Sequence, residues 1–262
     1  MKILVSNDDG IYADGLWALV KELREIATVT VVAPDRDQSG VGTSVTLRHP
    51  LRMVEMKSPL KDGVAAYSVE GSPADSVILA LGLVLKDGVD LVVTGINEGP
   101  NLGDDVYISG TVSAALQGFF YGIPALAFSI AAFGSLHFDV AARLARLLVS
   151  EIANRDMSQR MLLNVNLPNL PLEKLEGIEV TRLGERRYAD RIEPGHDSKR
   201  QYHWIMRGKS EWKSIVGTDI WALEHNKISF TPLFGNPGGS SREFLESLAP
   251  ELFSKLLDNR DS

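Results

Sequence analysis

Two adjacent carboxylates, Asp8 and Asp9, follow the short apolar run Lys2 to Ser6 and precede Gly10. The run reads as a first β-strand. Like charges side by side at the end of a buried strand repel each other and lose hydration, so they are tolerable mainly where a cation or several donors compensate them. Gly10 permits the sharp turn that such a site needs. The same residues also spell an ordinary turn, so a metal role depends on what the rest of the chain brings alongside.

Two further loops offer hard oxygen donors. Pro34-Asp35-Arg36-Asp37-Gln38-Ser39-Gly40 follows a second apolar run, and Gly95-Ile96-Asn97-Glu98-Gly99-Pro100-Asn101 follows a third. Carboxylate, hydroxyl and amide oxygens suit one divalent ion such as Mg2+ or Mn2+, with water completing the shell. The plainer alternatives are Ser39 as a turn or cap residue and Asn97 as a tight-turn residue. The stretch from Leu102 ends in Ser109-Gly110-Thr111 at a helix start. Free N–H groups there, beside a glycine and two hydroxyls, make a phosphate cradle; alternatively, Ser109 simply caps the helix.

Composition narrows the choices. The chain has no cysteine, which removes thiolate nucleophiles and cysteine-based metal sites, and its five histidines are scattered without HxH or HExxH spacing. A formal net charge of -7 gives no footprint for polymeric nucleic acid, though a small anion can still be held locally. No apolar run approaches the roughly 20 residues that span a bilayer, so no membrane partner is expected. The N-terminal residues lack the basic and apolar regions of a signal peptide, which implies a cytoplasmic protein.

The elements that must position these residues alternate in type. Ile3 to Ser6, Val29 to Ala33, Asp90 to Thr94, Ala125 to Ser129 and Leu162 to Leu167 read as strands, the last with Asn164 and Asn166 on one face. Helical spacing follows Asp14-Gly15, Ser72-Pro73-Ala74-Asp75 and Ser109-Gly110-Thr111, and recurs over Asp139 to Ile152; Gly88 is expected to end the second helix. Strands alternating with helices imply right-handed crossovers, hence a Rossmann-like, doubly wound, mostly parallel α/β sheet with its functional groups at the strands' carboxyl ends. Residues 1–177 are read as the catalytic core. Residues 178–232 mix arginines with Tyr188, Tyr202, Trp204 and Trp221 and read as a smaller projecting β-rich extension for oligomer contacts. Residues 233–262 read as a C-terminal helical segment.

The ordered series NDDGI from Asn7, VVAPDRDQSG ending at Gly40, GINEGPNLGDDVYISGTVSAA from Gly95, LLNVNLP from Leu162 and VTRLG from Val180, with GTDIWAL and FTPL beyond, resembles the SurE family of nucleotidases. The resemblance covers nearly the whole chain. It implies divalent-cation ligands at Asp8, Asp9, Ser39 and Asn97, nucleoside monophosphate substrates, with 5′-phosphates, 3′-phosphates and short polyphosphate all left open, and a homodimer or homotetramer. Gln38, Thr43, Glu98 and Val216 depart from residues frequent in the family, which bears on substrate preference rather than on the reaction. The expected chemistry is phosphomonoester hydrolysis, with Asp8 or Asp9 orienting or deprotonating the attacking water and Asn101, Ser109, Gly110 and Thr111 holding phosphate oxygens. The competing readings are an aspartyl-phosphate enzyme with Asp8 as nucleophile, a receiver-like phospho-acceptor and a nucleotide-binding module without turnover.

Overall fold

Ile3, Leu4 and Val5 of the first strand are all buried, so that strand needs cover on both faces and a neighbour on each edge. The computed structural model describes all residues except 61–62, 132–135, 155–160, 188–189, 198–199, 207–210, 235–239 and 259–262. Tyr188 therefore lies outside the described residues. The chain runs β1 (Lys2–Ser6), α1 (Asp14–Leu23), β2 (Thr28–Pro34), β3 (Met53–Met56), β4 (Ala65–Val69), α2 (Pro73–Leu79), β5 (Leu91–Glu98), α3 (Gly110–Phe120), β6 (Ala125–Ala131), α4 (Phe138–Asn154) and β7 (Leu162–Pro168). It continues through β8 (Ile178–Val180), β9 (Arg186–Arg187), β10 (Arg191–His196), β11 (Gln201–Met206), β12 (Glu211–Trp212), α5 (Asp219–Glu224), β13 (Ile228–Phe234) and α6 (Ser240–Asp258).

Nine strands form one sheet in the order β3-β4-β2-β1-β5-β6-β7-β13-β8. From β4 to β7 neighbouring strands are parallel; β3 on β4 and β13 on β7 are antiparallel. The chain leaves β1 on one side for β2 and β4, then returns to place β5 on the other side. That reversal beside β1 opens a crevice at the carboxyl ends of the strands. The fold is the expected mostly parallel α/β sheet.

Side chains alternate between two packed layers, as the period of a strand requires. Ile3 and Val5 belong to one buried cluster that continues through Leu16, Leu19 and Leu23 of α1 and Leu144 and Leu148 of α4 to Leu248 and Leu252 of α6. Leu4 faces the other way, into a second buried cluster that includes Val77 of α2 and Val112, Ala114 and Ala115 of α3. Ser72 and Asp75 form a reciprocal capping box at the start of α2, with Pro73 just inside it. That helix ends earlier than Gly88 suggests, passing into a π-helical turn over Ala80–Val84. The edge strand β3 and its inner neighbour β4 go beyond the strands expected from the sequence, because neither carries a continuous apolar run. β5 continues past Thr94 to Glu98, so Asn97 sits on the end of a strand rather than in the loop after it.

Within the stretch 178–232, β8 and most of β13 belong to the main sheet. Its middle forms two separate antiparallel ribbons, β10 with β11 and β9 with β12. α6 is one helix with Pro250 inside it. Among the described residues, no helix is long and apolar enough to cross a membrane.

Candidate metal and phosphate site

Asn7 builds the turn that presents the acidic pair. Its side-chain amide donates to the Gly10 carbonyl at 3.0 Å, and its Oδ1 accepts from the Gly10 N–H at 3.2 Å. Gly10 sits at φ 99°, a backbone region that glycine reaches without steric penalty. Asp8 is buried at 3 % exposure. Its Oδ1 accepts from the Thr111 hydroxyl, and the Thr111 N–H adds a second bond. Gly110 explains how α3 comes so close: a β-carbon there would lie 2.5 Å from Asp8 Cβ. The Thr94 hydroxyl seats the same helix start on the sheet by donating to the Thr111 carbonyl at 2.8 Å.

Asp9 is half-buried, and its Oδ2 has no hydrogen-bond partner although solvent does not reach it. The Glu98 N–H donates to the same carboxylate, which places Asp9 against the end of β5 next to Asn97. Asn97 is buried, and its amide nitrogen donates to the Gly99 carbonyl at 2.7 Å. The second loop is tied to the first by the Gln38 N–H, which donates to the Asp8 carbonyl at 2.8 Å. Ser39, one residue on, is exposed, and its hydroxyl donates to Asp37 Oδ1 at 2.6 Å.

Charge in this crevice is one-sided. Burial pushes the Asp8 carboxyl up to about 6, against the pull of Thr111, with Asp37 adding a further push upward. Burial and then the charge of Asp8 push Asp9 up to about 7, with Asp37 and Glu98 adding to the effect. Loss of solvation and mutual repulsion both favour the protonated forms, and a bound cation would reverse both.

A cation fits the donor set that these residues leave over. The Thr111 hydroxyl occupies Asp8 Oδ1, and Oδ2 lies against Gly110 at the start of α3. Ser39 and Asn97 each donate a hydrogen elsewhere, which keeps an oxygen lone pair available. Asp9 Oδ2 is a buried oxygen with no partner at all, and all four donors are of the hard oxygen type that Mg2+ and Mn2+ take. Among the described residues no group of three or more histidines and acids forms a metal cluster; this set instead mixes two carboxylates with a hydroxyl and an amide.

The residues expected to bind phosphate lie on the same side. Ser109 Oγ accepts the Val112 N–H at 3.1 Å and so caps α3, while the Thr111 hydroxyl is spent on Asp8. Asn101 is gripped from the sheet: its N–H donates to Asn166 Oδ1 at 2.9 Å, its carbonyl accepts from Asn164 at 2.8 Å, and its side-chain amide donates to the Ser129 hydroxyl at 2.8 Å. Asn7, Asn164, Asn166, Ser129 and Asp37 therefore support the site, and the sequence signals them only indirectly. Asn164 and Asn166 alternate on one strand face, whereas nothing local marks the partners they find in a loop more than sixty residues away.

The Survival protein SurE family model matches residues 3–190. A 5'-nucleotidase SurE from Dehalococcoides mccartyi is 49% identical over 235 residues, spanning 89% of this chain and 88% of that protein. One from Vibrio campbellii is 47% identical over 235 residues, with 89% and 88% covered. The crystal structure of the SurE protein from Aquifex aeolicus superposes with a TM-score of 0.75 at 38% identity, covering 94% of this chain and 100% of that one. With motif series, sheet topology, crevice and relatives all in agreement, the chain belongs to the SurE family.

Proposed function

We propose that this protein is a divalent-metal-dependent 5'-nucleotidase that hydrolyses nucleoside monophosphates to nucleoside and phosphate. The observation that carries the reading is the buried, unpartnered oxygen of Asp9 beside Asp8, at the sheet's switch point and opposite the start of α3. Asp8, Asp9, Ser39 and Asn97 would hold Mg2+ or Mn2+. When bound, such an ion polarises a phosphoryl oxygen and lowers the pKa of water. The free oxygen of Asp8 or Asp9 orients the attacking water and accepts its proton. A P–O bond forms to the water oxygen, and the ester P–O bond breaks toward the nucleoside oxygen, which is protonated as it leaves. Asn101 and the Gly110 N–H receive the remaining phosphate oxygens, since the Ser109 N–H goes to the Asp105 carbonyl and the Thr111 N–H to Asp8. Asp8 is a poor phosphoryl acceptor, because it is buried and Thr111 holds one of its oxygens.

The test is phosphate release from a panel of nucleoside 5′- and 3′-monophosphates and short polyphosphate, with Mg2+, Mn2+ or chelator, comparing wild type with Asp8→Asn. Metal-dependent release lost in the variant is expected, with 5′-monophosphates preferred. No release under any condition, or release indifferent to chelator, overturns the reading; phosphate left stably on the protein would favour a phospho-acceptor.

The β10–β11 ribbon supports a second copy of this chain as the partner. Ile192 and Ile205 are exposed cross-strand partners on one face of it and Trp204 is exposed on the other, apolar side chains on a projecting hairpin that suit a subunit contact. Light scattering should give a dimer or tetramer mass for wild type and a smaller one for the double variant Trp204→Glu, Ile205→Glu; an unchanged mass overturns this assignment.

A further inference from the structure

Asp219 opens α5, far along the chain from the acidic pair, and is 0 % exposed. Its Oδ2 accepts the Gly103 N–H at 2.8 Å, while Oδ1 accepts the N–H groups of Gly184 at 2.7 Å and Ile220 at 2.8 Å. The start of α5 does not require this arrangement, since Thr218 already caps that helix through the Trp221 N–H. Burying a carboxylate away from water is costly unless its oxygens are well satisfied. Here one oxygen is committed to a loop 116 residues away in sequence.

That loop leads directly to the site. Gly103–Tyr107 forms a 3-10 helical turn whose first N–H is the one Asp219 accepts. The Asp105 N–H donates to the Leu102 carbonyl at 3.1 Å, and the Asp105 carbonyl accepts from Ile108 at 3.1 Å and from Ser109 at 3.0 Å. The segment from Gly103 to Ser109 is thus wound without a gap into the cap of α3, whose Gly110 rests on Asp8. The sheet holds Asn101 on one side of this segment, and Asp219 holds Gly103 just after it.

We propose that Asp219 is a positioning residue: by fixing Gly103 it sets where the Ser109-Gly110-Thr111 helix start lies relative to Asp8, and so how the phosphoryl group is held for attack. This rests on the nucleotidase reading above. Displacements of about 1 Å at such a distance from the reacting atoms cost on the order of a hundredfold in rate.

The test compares wild type, Asp219→Asn and Asp219→Ser. Asparagine keeps the size of the side chain but sets an amide donor against one of the N–H groups it must accept. Serine offers a single oxygen, which cannot serve Gly103 and Gly184 together, and it carries the test if the asparagine variant does not fold. Three quantities are measured: kcat and KM on a nucleoside 5′-monophosphate, Mn2+ affinity by calorimetry, and amide hydrogen exchange over residues 102–109. The expected result is a kcat lower by about 10- to 100-fold with KM and Mn2+ affinity within about threefold of wild type, together with faster exchange over 102–109. A variant that melts earlier yet keeps wild-type kcat when folded, or that shows unchanged exchange in the loop, overturns the proposal. If wild type itself releases no phosphate, the nucleotidase reading fails separately, and the exchange measurement still decides whether Asp219 anchors the loop.

Discussion

Asp9 carries a buried oxygen without a partner, next to a second carboxylate that burial already holds up near neutrality. Replacing it by Asn removes the repulsion and the desolvated charge while leaving the shape unchanged. Asp9→Asn is therefore expected to melt no lower than chelated wild type at pH 8, to lose any melting shift on adding Mn2+, and to lose more than about a hundredfold in kcat/KM. Retention of metal-dependent turnover by the folded variant would remove Asp9 from the site. Gly110 makes the opposite kind of contribution, through the side chain it lacks. A β-carbon there would meet Asp8 Cβ at 2.5 Å and Asp8 Oδ2 at 2.8 Å, and Asp8 is buried and cannot step aside. Gly110→Ala should cut kcat/KM by about tenfold or more through displacement of Asp8 from α3. Wild-type kinetics from the alanine variant would mean that the approach is looser than the structure shows.

The elements place these residues by close backbone contact, and α1 shows how tightly. Gly15, in its first turn, faces the Ile96 carbonyl of β5, and an added β-carbon would run into that oxygen and into Phe138 at 2.8 Å. Gly15→Ala should push α1 off the sheet beside Asn97, costing about 1–3 kcal/mol and so roughly 2–12 °C of melting temperature; an unchanged melting temperature would show that α1 yields freely. The sequence made this framework legible where burial imposes a pattern: β1, β2, β5 and β6 carry short runs rich in apolar residues, β7 alternates apolar residues with Asn164 and Asn166, and α1, α3 and α4 carry an apolar stripe. β3 escaped because a sheet edge needs no such run and β3 is largely exposed; β4, paired on both sides, escaped because Tyr67 and Ser68 interrupt its buried Ala66 and Val69. The candidate donors were legible because each lies at a strand end, where the fold class itself predicts function. Asp219 was not, since its meaning lies in Gly103 and Gly184, partners that only the folded chain brings to it.

At the scale of the whole molecule, buried carboxyls and a formal net charge of -7 act in the same direction as pH rises. Asp8 and Asp9 titrate near 6 and 7 when folded against 3.8 otherwise, and burial also raises Asp219. Well below pH 4 both folded and unfolded chains hold these protons. Between about pH 4 and 7 the folded state keeps protons that the unfolded chain has released, so their contribution to stability falls as pH rises through that window and levels off above it. Ordinary carboxylates are already ionised by pH 5.5, so comparing pH 5.5 with pH 8 leaves them out, and the difference between wild type and Asp9→Asn assigns the effect to the raised pair. Chelated wild type should melt lower at pH 8 than at pH 5.5, and Asp9→Asn should show a smaller difference. A divalent ion held by the proposed ligands would compete with the same protons. Mn2+ at about a hundred times its dissociation constant contributes about 2.7 kcal/mol, or roughly 5–10 °C at pH 8; that same concentration should shift melting by less than half as much at pH 5.5. Equal shifts at the two pH values, measured by differential scanning fluorimetry, would separate the cation from these two aspartates and place it elsewhere on the molecule.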